Sequence, residues 1–288
     1  MDISGLLEEY SLTDFAVGLG GCQNSGPMQC CEYDIAVFDE KSEADTILNY
    51  DGGIARIHHN SFNEARSNIL VHLCDLKIVS DKKMHLGTFL SKINERRSEI
   101  FADAAKNCLL DSMFCNARAL DAETESALTL AWAKCAALYM ADAICLANMV
   151  RPSPAHMLGA IRRLETSKIN EKLGLVTSCM GMERTSPVLL RRMASSTAGL
   201  SDGIEGNDHS KIIRLKCDYM ISASLLPDCY FYLCCINKEI MAASKDFIAR
   251  DEKTTYILNV AFDLDTDDDV AVQCSLLQAA ARDILALL

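Results

Sequence analysis

The chain has 288 residues, half of them apolar, with 40 acidic and 28 basic side chains and a formal charge of −12. That length and apolar content suffice for a sizeable core and exclude an intrinsically disordered chain. Fourteen Gly and five Pro are too few for a loop-rich all-β protein, and the acidic balance argues against a broad nucleic-acid surface.

The N-terminus, Met1-Asp2-Ile3-Ser4-Gly5-Leu6-Leu7-Glu8-Glu9, lacks the long apolar run of an export signal. The 14 cysteines form no C-x-x-C pair and mostly sit among apolar residues. They read as reduced, buried side chains of a cytoplasmic protein. Most of the net negative charge falls in the first 60 residues, where Lys41 and Arg56 are the only bases.

From about residue 15 to 80, short apolar runs alternate with turn residues. The runs are Phe15 to Leu19, Tyr33 to Phe38, Thr46 to Tyr50, Ile54 to His58, Ile69 to Leu73 and Leu76 to Val79, and together they read as a mixed β-sheet of four or five strands. Asp51-Gly52-Gly53 between two of them is a hairpin signal, because both glycines accept positive φ. From about residue 85 the texture is helical. Leu86 to Ala119 has helical spacing, and Asp121 opens a long helix with Glu123 and Glu125 at its positive end. That helix runs to about Val150, where Arg151-Pro152-Ser153-Pro154 stops it. Ser153 is the expected cap of the next helix. Further helices are expected at 155–173, 186–197, 210–226, 228–248 and 270–288. A loop is expected from Gly199 to His209, and Thr254 to Phe262 reads as either a strand or a helix end. The fold class is therefore α+β, a small mixed sheet over 1–85 followed by an all-α bundle over 86–288. The apolar stretch from Ala127 to Val150 contains Lys134 and Asp142. Each costs roughly 2.5–3.5 kcal/mol near a bilayer centre, so a buried helix is the better account than a membrane span.

One stretch points to chemistry. A predicted strand ends at Leu19-Gly20-Gly21-Cys22, and a polar loop with Gln23, Asn24 and Ser25 follows. The next strand then starts with Glu32-Tyr33-Asp34-Ile35-Ala36-Val37. Glycines let backbone approach a ligand closely. The period of two puts Glu32 and Asp34 on one face of their strand. Two adjacent carboxylates make a hard oxygen site suited to Mg²⁺ carrying substrate phosphates.

This pattern resembles the nucleotidyltransferase superfamily, which includes DNA polymerase β, the CCA-adding enzymes and the aminoglycoside nucleotidyltransferases. Gly20 and Gly21 match the family's glycine step. Glu32 and Asp34 match its acid pair, with Glu where Asp is usual, and Ile35-Ala36-Val37-Phe38 matches its apolar strand. The resemblance covers residues 1–85 by motif. It implies an Mg²⁺-dependent enzyme moving a nucleotidyl group from an NTP to a small molecule or a protein side chain. Glu32 and Asp34 would hold the metal, while Gly20, Gly21 and Ser25 would face the nucleotide. Active members need a third carboxylate on a neighbouring strand. In one register it is Asp75, 41 residues after Asp34. In the other, the third-acid strand is Ile54 to His58, the position holds Arg56 or His58, and the site lacks its third acid. The second register implies a catalytically degenerate binding or oligomerisation protein. A homodimer is compatible with either. A third reading is a helical thiol or metal protein.

Other features carry less. Asp263 to Asp269 fails the EF-hand pattern, with Asp268 in place of the Gly and Cys274 in place of the final Glu. His58 and His59 are adjacent on a strand, so they point to opposite faces, and one of them can face the acid pair. The Arg96-Arg97, Arg162-Arg163 and Arg191-Arg192 pairs read as solvated surface or ion pairs.

Overall fold

The computed structural model describes residues 3–24, 27–121, 126–204, 206, 208–248, 252–264 and 270–288. Two compact units divide the chain, Met1–Asp103 and Ala104–Leu288.

The first unit is built on a five-stranded mixed sheet. Helix α1 (Ile3–Glu9) precedes β1 (Ala16–Gly20). A 3-10 turn (Gly21–Asn24) leads on towards β2 (Tyr33–Phe38), and β3 (Thr46–Tyr50) and β4 (Gly53–Asn60) follow. Helix α2 (Ser67–Leu73), β5 (Lys77–Ser80), α3 (His85–Glu95) and the start of α4 (Arg97–Ala119) complete it. The strand order is β3-β4-β2-β1-β5. β2 and β4 are parallel, and the other neighbouring pairs are antiparallel. The β3–β4 hairpin closes through Asp51 and Gly52, both at positive φ. That is the mirror-image turn whose twist matches the strands. The sheet has five strands, within the expected four or five, and of the six apolar runs Ile69 to Leu73 is the one that forms a helix, α2. Its buried residues are Leu70, Val71 and Leu73, so the apolar run serves a helix face. A short apolar run fits either element by pattern, and packing decides between them.

Alternation along the strands sorts the side chains. Val17, Ile35, Val37, Ala55 and Ile57 share one face and pack with Leu6, Leu7 and Leu12 into a core. Residues of even number in β2 and β4, including Asp34, Arg56 and His58, therefore project from the opposite face. On that opposite face Phe38 stacks on Phe62 with ring centroids 4.7 Å apart, and both meet Phe89 of α3 edge-on.

The second unit is helical. It continues α4 and adds α5 (Ser126–Ala147), α6 (Met157–Ile161), α7 (Leu173–Met180), α8 (Pro187–Ile204), α9 (His209–Ser222), α10 (Leu226–Ile248), α11 (Glu252–Phe262) and α12 (Val270–Leu285). α5 packs against α7, α10, α11 and α12. A helix enclosed in this way is apolar all round, which explains its membrane-like composition. Leu128–Ala147 is long and apolar enough to cross a membrane, yet 89% of its most apolar window is buried inside this unit. Its two charges have partners. Lys134 Nζ donates to Tyr230 Oη at 2.8 Å and to the carbonyls of Phe262 and Asp263 at 2.8 and 3.1 Å, closing the C-terminal end of α11. Asp142 accepts a hydrogen bond from Lys238 of α10.

Several helix limits differ from expectation. Thr254 to Phe262 is helical. The stretch expected as helix 155–173 contains only α6 and short turns. His156, not Ser153, precedes α6. α8 extends through Gly199 to Ile204, into the expected loop. Glu123, Glu125 and most of the Asp263 to Asp269 acids lie outside the described residues. The cysteines of the helical unit are mostly buried thiols. Burial pushes Cys145 and Cys234 up to about 12, beyond any thiolate chemistry near neutral pH.

Candidate functional site

Glu32 immediately precedes β2, and Asp34 is its second residue. β1 ends beside them, with Gly20 paired to Asp34. The two glycines of the step have different neighbours. A Cβ on Gly20 would lie 2.7 Å from Leu76 Cδ2, and one on Gly18 would lie 3.1 Å from Leu76 Cδ1. The missing side chains of β1 therefore make room for Leu76. Gly21 has φ +65°, and a Cβ there would lie 1.4 Å from Asp34 Oδ2. The turn is closed directly against the Asp34 carboxylate, which only glycine permits. Ser25 lies outside the described residues.

The loop between Gly21 and Asp34 is tied at its base. Cys22 and Cys31 form a disulfide, whereas residue context and the absence of C-x-x-C suggest reduced cysteines throughout. The spatial approach of the two ends of the β1–β2 loop is what brings these two together.

Asp75 follows α2 and precedes β5. Arg97 grips its carboxylate with two hydrogen bonds of 2.8 and 3.2 Å. β5 pairs with β1 and not with β2, so β1 separates the Asp75 side of the sheet from Asp34. Among the described residues, Glu32, Asp34 and Asp75 do not converge to within metal-sharing distance.

The strand that does lie beside β2 is β4. Its register sets Arg56 against Asp34 and His58 against Ala36. His58 Nε2 is 3.2 Å from Asp34 Oδ1, and its Nδ1 is 3.0 Å from Asp45 Oδ1. Arg56 donates to Asp45 Oδ2 through Nε at 2.9 Å and through a terminal nitrogen at 2.6 Å. Asp45 sits immediately before β3, one step beyond the Thr46–Ile57 pair of the hairpin. His59 points to the other side and meets Asp39 at 2.9 Å.

The electrostatics follow from this geometry. Burial opposes the charge on His58, but hydrogen bonds to Asp34 and Asp45 outweigh it. The net effect raises the imidazole above its ordinary 6.5, although the Arg56 charge also pulls it down. With a carboxylate on each ring nitrogen, the doubly protonated imidazolium is the favoured form. Burial pushes Asp45 up, and His58 and Arg56 together overcome that and hold its carboxyl well below the usual range. Arg56 is disfavoured by burial, yet it stays charged through the fields of Asp45, Asp34 and Glu32. Asp45, Asp34 and Glu32 thus act on the Arg56 guanidinium, and Asp34 and Asp45 flank the His58 imidazole.

Asp45 belongs to no motif in the sequence, and its position directly before the hairpin strand is the one local signal that marks it. No protein-family model matches the chain, and no curated protein matches it in sequence.

The donor set fits a divalent cation poorly. A divalent ion about 4 Å from a guanidinium would meet roughly 8 kcal/mol of repulsion at an effective dielectric of 20. Oxygen ligands bound to protein cations are also less able to enclose Mg²⁺.

Proposed function

We propose that residues 3–103 form a nucleotidyltransferase-like domain that serves as a binding or oligomerisation module, its acid cluster neutralised from within instead of by Mg²⁺. The observation that carries this reading is the placement of Arg56 and His58 on the strand beside Asp34, where an active enzyme of this kind would need a third carboxylate. The protein's own cations supply the positive charge that a metal would bring. Asp34 then anchors β4 through His58, and Asp45 ties the loop before β3 to His58 and Arg56.

Metal-dependent transfer to a small-molecule or protein acceptor is the second reading. The Gly21 turn favours it, since it is closed against Asp34 where a nucleotide-facing loop would lie. Calorimetric titration with Mg²⁺ and each NTP, together with a radiolabelled transfer assay, separates the two. The module reading expects no transfer, and no metal–nucleotide binding that Glu32→Ala or Asp34→Ala removes. It also expects Arg56→Asp, which places a carboxylate beside Asp34, to raise Mn²⁺ affinity at least about tenfold, since it removes one charge and adds a ligand. Transfer by the wild-type protein that is lost in Asp34→Ala would establish the enzyme reading instead.

A further inference from the structure

The helical unit holds a cavity of about 150 Å³ between α4, α5 and α10, lined by Asp111, Phe114, Cys115, Trp132, Cys135, Tyr139, Lys238 and Ala242. A cavity of about that size accommodates one benzene-sized ring. Its inner wall is Cys115, Trp132 and Cys135, all buried, and Phe114 stands at the rim, half exposed. Phe114 and Trp132 meet edge to face with centroids 6.2 Å apart. The walls therefore suit an aromatic body.

Two charged side chains line the cavity, Lys238 and Asp111, and they differ in their partners. Lys238 is neutralised by Asp142, and its ammonium lies 4.7 Å from the centroid of the Tyr139 ring. Arg118, which lies over the Trp132 ring at 5.9 Å, pairs with Asp121 at 3.5 Å. Among the described residues Asp111 has no hydrogen bond and no ion pair within 4 Å, although the charge of Lys238 reaches it. Its carboxyl is pushed up, mainly by burial and also by the charge of Asp142, against the pull of Lys238. The rim of the aromatic cavity thus carries a carboxylate that no described residue holds by a hydrogen bond or a close ion pair.

We infer that this cavity is a binding site for a small monocyclic aromatic ammonium ion, with its ring against Trp132 and Tyr139 and its charged nitrogen at Asp111. Aromatic walls and a carboxylate are the combination that recognises ammonium groups. The volume of the cavity matches one ring. This inference is independent of the reading given above for the sheet unit.

Trp132 is the only tryptophan in the chain, so its fluorescence reports directly on the cavity. The intact protein is titrated at pH 7 with benzylamine, benzyl alcohol and benzoate, followed by Trp132 emission and by saturation-transfer NMR. Benzylamine is expected to bind saturably and at least tenfold tighter than benzyl alcohol, with benzoate weakest. Asp111→Asn, at an exposed position, should bring benzylamine and benzyl alcohol within about threefold of each other. Ala242→Phe should fill the cavity and abolish binding of all three while circular dichroism stays unchanged. No saturable response to benzylamine by either method, benzoate binding as tightly as benzylamine, or an unchanged preference in Asp111→Asn would each overturn the assignment.

Discussion

Gly21 and His58 hold opposite sides of the same carboxylate, and both lend themselves to single substitutions. At Gly21 a methyl group would overlap Asp34 Oδ2, and the backbone is at positive φ as well. Left-handed backbone costs an L-residue roughly 1–2 kcal/mol by itself, before any displacement of Asp34. Gly21→Ala is expected to lower stability by about 2–4 kcal/mol in urea denaturation, with both mechanisms contributing. At His58 the sign follows from linkage. Its pKa is raised in the folded state above the ordinary 6.5. The stabilisation it brings is therefore complete below about pH 6.5 and is lost as pH rises through the folded value. Asp45 behaves in the opposite way. Its depressed carboxyl contributes above its ordinary 3.8 and loses that contribution as pH falls towards the folded value. Wild type should exceed His58→Gln by about 1–3 kcal/mol near pH 5.5, the worth of hydrogen bonds to charged groups, and the gap should narrow towards pH 9. A gap that widens with pH would contradict the imidazolium assignment.

At the scale of elements, the loop from β1 to β2 is held by the Cys22–Cys31 disulfide, nine residues apart in sequence. Closing a loop of that length removes about 2–3 kcal/mol of unfolded-state entropy. A reductant should lower the unfolding free energy of the wild type, measured in urea, by that amount, and its midpoint with it. It should leave the midpoint of the Cys22→Ser/Cys31→Ser double variant unmoved. The hairpin is legible in the sequence, because Asp51-Gly52 has the backbone freedom its turn needs. The α2 segment is not, because Ile69 to Leu73 is a short apolar run that suits strand and helix alike. α5 lies between these cases. Its apolar length is plain, but its burial depends on four helices distant in sequence. The partners of Lys134 and Asp142 are 96 to 129 residues away.

At the scale of the whole chain, two units carry separate charged clusters. His58 works within the sheet unit and the buried Lys238–Asp142 pair within the helical one. Removing one partner of a buried pair leaves the other charge without compensation, at a cost of about 3–5 kcal/mol. Lys238→Met is expected to show that loss in denaturant unfolding. Combined with His58→Gln, it should add to within about 0.5 kcal/mol, as for sites that share no partners. A coupling above about 1 kcal/mol would mean that the two clusters communicate.

The sequence alone determined the α+β order of elements, the hairpin, and the opposed directions of His58 and His59. All of these follow from local periodicity and turn chemistry, which act over a few residues. Two registers for the third acid, Asp75 or the Arg56 and His58 strand, cannot be separated that way. Strand order decides which residue stands beside Asp34, and strand order is a matter of tertiary pairing. β4 lies parallel to β2 with Arg56 opposite Asp34, while β1 intervenes before Asp75 and Arg97 holds it. The disulfide, the role of Asp45 and the aromatic cavity share that origin, because each joins groups whose approach is dictated by packing and not by spacing along the chain.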